Sequence, residues 1–89
     1  MLITREETLP NGKTLRIARL GQGAPLIFLH GYPDNLQVWC ELAPRLAGRC
    51  QTIAFDWPGA GYSEEWPGGA TPMHMAERLL TLLDFWGIE

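Results

Sequence analysis

Two loops in this 89-residue chain gather the residues that could do chemistry. Residues 25–35 read Pro-Leu-Ile-Phe-Leu-His-Gly-Tyr-Pro-Asp-Asn, an apolar run entering His30-Gly31-Tyr32-Pro33. Residues 53–63 read Ile-Ala-Phe-Asp-Trp-Pro-Gly-Ala-Gly-Tyr-Ser, a second apolar run entering an Asp-x-x-Gly-x-Gly-x-Ser turn. Acyl transfer and related displacements build negative charge on an oxygen, and one fixed backbone N–H aimed at it is worth about 3–4 kcal/mol of barrier. A loop at the C-terminal end of a buried strand suits that task, because ligands of open α/β sheets gather at that edge. In the second loop, Gly59 and Gly61 permit positive φ and close backbone approach. Asp56 can accept backbone N–H bonds and so hold the turn.

The elements that must carry these loops follow from pattern. Leu2–Leu9 and Lys13–Leu20 read as the arms of an antiparallel hairpin, turned by Pro10-Asn11-Gly12. Leu15 and Ile17 alternate with Arg16, as in a strand with one solvated face. Leu26–Leu29 and Thr52–Phe55 are short continuous apolar runs, the signature of strands covered on both faces. Between them Asp34 is placed to cap a helix, with Gln37 completing a capping box. Trp39, Leu42, Ala43 and Leu46 make its apolar stripe, and Pro44 predicts a kink or two short pieces before Gly48. Thr71 as N-cap and Pro72 at the first helical position open the last helix. Its stripe is Met75, Leu79, Leu82 and Trp86, widened by Ala76 and Leu83, with Gly87 as the stop and Ile88 as the apolar contact beyond it. The order hairpin, β, α, β, α argues for an α/β fold with right-handed crossovers.

Composition narrows the function classes. The chain is 46% hydrophobic and carries four Trp, three Phe and two Tyr, enough for a core within one domain or part of one. A net charge of −3 provides no basic face for nucleic acid, and no polybasic run or basic amphipathic helix suggests a membrane partner. No apolar stretch approaches the ~18 residues of a membrane span. Glu6 and Glu7 follow the start too closely for a secretory signal, so a cytoplasmic protein with Cys40 and Cys50 as free thiols is expected. His30 and His74 stand apart and no Cys-x-x-Cys occurs, so no metal site is expected. Gly59-Ala60-Gly61-Tyr62-Ser63-Glu64 follows a strand but lacks the third glycine of a dinucleotide fingerprint. Ser63, the single serine, lacks the Gly-x-Ser-x-Gly frame and reads as a turn hydroxyl. Trp57 and Trp66 lie in the loop that should border a pocket, with Trp57 as a candidate substrate wall.

The two loops, in this order and separated by a strand–helix–strand interval, resemble the front of an α/β-hydrolase. The His-Gly-Tyr-Pro-Asp form is similar to the epoxide hydrolase and haloalkane dehalogenase branch, and it also occurs among serine esterases and lactonases. The resemblance implies that residues 1–89 are a partial domain: an antiparallel hairpin, two parallel strands and two helices, ending before the nucleophile elbow. It implies that the backbone N–H of Tyr32 is one oxyanion donor, within a loop of His30, Gly31 and Pro33. It gives His30 a structural place beneath that loop, bonded to backbone, and makes Asp56, Gly59 and Gly61 the floor of the pocket. The expected activity is hydrolysis of a small ester, epoxide or halide through a covalent intermediate, with no cofactor. The alternative is a non-catalytic ligand- or partner-binding member or gene remnant of the same fold. In the family's strand order, Leu26–Leu29 should be left as an unpaired apolar edge in this segment.

Overall fold

The computed structural model describes residues 1–31, 35–68 and 71–88. Strands β1 (Arg5–Thr8) and β2 (Thr14–Leu20) form the hairpin. Its turn is closed by the Leu9 N–H on the Lys13 carbonyl and the Gly12 N–H on the Leu9 carbonyl, both at 2.8 Å, with Gly12 at φ +82°. Strands β3 (Pro25–Phe28) and β4 (Gln51–Phe55) are adjacent and parallel, with Ile27 opposite Ile53. β4 also pairs antiparallel with β2, Ala18 facing Ala54 and Ile17 facing Phe55, which makes the sheet order β1-β2-β4-β3.

Period-2 alternation divides the sheet residues between two apolar layers. Leu15, Ile17, Ile53 and Phe55 form one, completed by Leu9, Trp66 and Leu82 of α2 (Pro72–Phe85). Ala18, Ala54 and Phe28 belong to the other, beside Leu2, Leu36 and Ala43. The two small residues there leave room for the Phe28 and Trp39 rings, stacked with centroids 5.1 Å apart.

The segment between the parallel strands is in two pieces, as Pro44 predicts: a 3-10 turn, Leu36–Trp39, and a short helix α1, Leu42–Leu46. Pro44 falls in the first turn of α1, where its missing N–H would have no intrahelical partner. The N-cap is Asn35, one residue beyond the expected Asp34, which lies outside the described residues. The Asn35 side chain accepts from the Gln37 N–H at 2.9 Å. Gln37 is not part of a capping box; its amide accepts from the Leu2 N–H (2.7 Å) and donates to the Leu2 carbonyl (3.0 Å), pinning the start of the chain to this turn.

Helix α2 begins and ends as its sequence signals require. The Thr71 hydroxyl accepts from the His74 N–H, and the Gly87 and Ile88 N–H groups close onto the Asp84 and Leu83 carbonyls with Gly87 at φ +70°. Two expectations fail. Ala76 is exposed, outside the packed stripe, and Arg16 does not face solvent. The Arg16 guanidinium is turned inward because the N-terminal segment and the glycine turn cover that face: it meets the Thr4 hydroxyl at 3.3 Å and lies 4.9 Å from the Tyr62 ring centre.

Among the described residues β3 pairs only with β4, and Leu26 and Leu29 are each 39% exposed. A bare strand edge templates association, so the 89-residue chain expressed by itself should sediment as species larger than a monomer. Leu26→Lys should move it toward the monomer in analytical ultracentrifugation; a monodisperse wild-type monomer would contradict the reading.

On the hairpin, burial by itself would raise the Glu7 carboxyl, but hydrogen bonds from Arg19 and Arg5 outweigh it and hold it below its ordinary value. A depressed carboxylate stabilises the fold above its unfolded pKa of about 4.3, and that contribution is lost as pH falls through the lower folded value. Glu7→Gln should therefore flatten the acid limb of the urea-midpoint profile below about pH 5, with no change in slope near neutrality.

Candidate functional site

Asp56 follows β4 directly and is completely buried. Its Oδ1 accepts from the Leu36 N–H at 2.7 Å, and its Oδ2 accepts from the Tyr62 N–H at 3.0 Å and faces the Arg16 guanidinium at 3.4 Å. One carboxylate thus joins β2, the start of the 3-10 turn and the glycine turn. A Cβ on Gly61, which sits at φ +53°, would overlap this carboxylate, so glycine is required there by both space and conformation. Ser63 completes the junction. Its hydroxyl donates to the Asp56 carbonyl at 2.8 Å and accepts from the Arg16 N–H at 2.9 Å, which employs it as a turn hydroxyl.

The neighbouring residue ties the other loop. The Trp57 N–H donates to His30 Nε2 at 3.1 Å, and the Trp57 indole N–H donates to the His30 carbonyl at 3.0 Å. Because Nε2 accepts, the ring proton resides on Nδ1, which lies 3.0 Å from the Gly31 carbonyl it can donate to. His30 is buried and bonded to backbone on both ring nitrogens. The Trp57 ring packs edge-on against Phe55, centroids 5.3 Å apart.

Asp56 and Trp57 therefore grip the segment between β3 and the 3-10 turn at its two ends, Trp57 at His30 and Asp56 at Leu36. The intervening loop leaves the C-terminal edge of the parallel pair. Tyr32 and Pro33, expected to carry the oxyanion donor and its turn, lie outside the described residues, as does Asp34. Asp56 and Gly61 meet at this edge, His30 is tied to it through Trp57, and Gly59 lies against the Glu65 carboxylate.

Among the described residues no three His, Cys, Asp or Glu side chains cluster to hold a metal ion. Cys40 and Cys50 are free and half-buried. No helix among the described residues is long and apolar enough to cross a membrane.

A family described as the α/β hydrolase fold matches residues 24–89. The chain belongs to the α/β-hydrolase family. It is 32% identical over 87 residues to a soluble epoxide hydrolase of Corynebacterium sp. (strain C12), covering 98% of this chain and 30% of that protein. It is 42% identical over 50 residues to a fluoroacetate dehalogenase of Burkholderia sp., covering 56% of this chain and 16% of that protein. The solved epoxide hydrolase CorEH, without ligand, superposes with a TM-score of 0.82 at 30% identity, over 98% of this chain and 30% of that one. The chain thus spans about a third or less of these hydrolases' own length.

Sequence reasoning missed Arg16, Asn35 and Gln37 as contributors to this α/β-hydrolase edge. Asn35 is as good a cap as Asp34 by residue type. The choice is made by the Leu36 N–H, which Asp56 takes, and Asp56 is 20 residues away in sequence. Arg16 carries no local signal at all, since its carboxylate partner is 40 residues away.

Asp56→Asn keeps the shape but removes the charge facing Arg16 and leaves one of the two backbone N–H groups, of Leu36 or Tyr62, facing an NH2 donor. Breaking a buried pair from one side costs about 3 kcal/mol or more, to be read as a fall in the urea midpoint; an unchanged midpoint would refute the assigned role.

Proposed function

We propose that this chain supplies the oxyanion-loop side of a hydrolase acting on a small ester, epoxide or halide through a covalent intermediate. The supporting observation is the double anchoring of the loop between β3 and the 3-10 turn, by Trp57 on His30 and by Asp56 on Leu36, at the C-terminal edge of parallel strands. Anchors at both ends supply preorganisation, on which the stabilisation of developing charge depends. The Tyr32 N–H is the proposed donor. Trp57, bonded to His30, is proposed to close one wall of the site, with Asp56, Gly59 and Gly61 as its floor. A nucleophile on an elbow, Gly-x-[Ser/Asp/Cys]-x-Gly, attacks the substrate; a His-activated water then releases the product. Likeness to an epoxide hydrolase and to a fluoroacetate dehalogenase supports a small epoxide or halide as substrate.

The test uses the product of the complete reading frame that contains this chain. Its sequence beyond residue 89 should carry the elbow, and the purified protein should turn over at least one of p-nitrophenyl butyrate, styrene oxide and 1-bromobutane. Replacing Tyr32 by its α-hydroxy-acid analogue turns the amide into an ester, which deletes the N–H and weakens the Gly31 carbonyl as an acceptor for His30; kcat should fall about 10²–10³-fold. A reading frame without an elbow would defeat the proposal and favour a ligand-binding member of the fold; turnover indifferent to that replacement would defeat it by removing the Tyr32 N–H from the reaction.

A further inference from the structure

Arg78 is a buried cation in an apolar stripe. It lies on α2 at the same helical face as Met75, Leu79 and Leu82, and only 5% of it is exposed. A charge in that position needs partners, and among the described residues they lie between Pro58 and Trp66. Its guanidinium donates to the Trp66 carbonyl at 3.1 Å and the Pro58 carbonyl at 3.5 Å, and it pairs with Glu65 at 3.0 Å. The fork therefore links Pro58, inside the glycine turn, to Trp66, three residues beyond its end. Glu65 is held in the same knot: its Oε1 also accepts from the Trp66 N–H at 3.0 Å, and its carboxylate fills the space a Cβ on Gly59 would need.

Pro58 adjoins Trp57, the residue whose two N–H groups hold His30. A fork on a 14-residue helix thus restrains the chain one residue beyond Trp57, whose two N–H groups hold His30. We propose that Arg78 is a positioning residue: through the Pro58 and Trp66 carbonyls it sets Trp57, and through Trp57 the loop beginning at His30. The catalytic part of this inference rests on the hydrolase reading above. The structural part does not.

Arg78 reaches no reacting atom, so its loss should misplace the donor loop and leave ground-state binding alone. Errors of about 1 Å in such positioning cost up to about 10²-fold in rate. In the complete reading-frame product, Arg78→Met should lower kcat about 10- to 10²-fold with KM nearly unchanged, the signature of a transition-state contact. Arg78→Lys keeps the cation against Glu65 but cannot bridge two carbonyls, and should fall between Met and wild type. In both variants hydrogen exchange of the Trp57 indole N–H, followed by NMR, should accelerate in the same rank order. Circular dichroism establishes that each is folded; if the Met variant is not, the Lys variant decides. A folded variant with wild-type kcat and wild-type indole exchange overturns the inference. If wild type turns over none of the three substrates, the hydrolase reading fails, and the indole exchange alone decides whether Arg78 positions the loop.

Discussion

The Asp56 carboxylate has been taken wholly out of water, and an ionised group in that position is tolerated only where charge and hydrogen bonds replace its solvent. Here the replacements come from three stretches distant in sequence: the Arg16 guanidinium on β2, the Leu36 amide and the Tyr62 amide. None of the three is free to move independently while the carboxylate stays satisfied. The site edge is rigid for that reason. The sheet fixes where β4 ends, β4 delivers Asp56, and Asp56 dictates where the loop after β3 rejoins helical structure and how the glycine turn folds back.

The architecture was largely legible in advance because its signals are local. Pro10-Asn11-Gly12, the runs at 26–29 and 52–55, Pro44, and the Thr71-Pro72 start and Gly87 stop each act within a few residues. What stayed hidden was set by partners far along the chain. Gln37 reads as a capping-box residue, yet its amide spends both ends on Leu2, 35 residues earlier. Arg16 reads as a solvated strand residue until the glycine turn is folded over it. Arg78 went unread beside the stripe residues Met75, Leu79 and Leu82, because the Trp66 and Pro58 carbonyls that hold it lie 12 and 20 residues earlier. His30 shows the opposite case, where burial and bonding to backbone on both ring nitrogens agree with the structural place the family resemblance implied.

The two faces of the sheet serve different ends. One is filled by large aliphatic and aromatic side chains, with Phe55 edge-on to both Trp57 and Trp86, and it seats α2. The other is narrowed by Ala18 and Ala54, which lets the 3-10 turn approach closely enough for Leu36 to be fully buried and its amide to reach Asp56. Close packing has a cost: the indole N–H groups of Trp39, Trp66 and Trp86 are buried without partners among the described residues. Each unsatisfied donor of this kind costs about 1–3 kcal/mol, which the aromatic contacts must offset.

The clasp between Leu2 and Gln37 also governs where foreign peptide can go. Met1 stands almost entirely in solvent while the very next residue is locked against the 3-10 turn. A purification tag or fusion partner joined at Met1 is consequently delivered against the 3-10 turn. A cleavable leader, which leaves that clasp unburdened, is the better engineering choice.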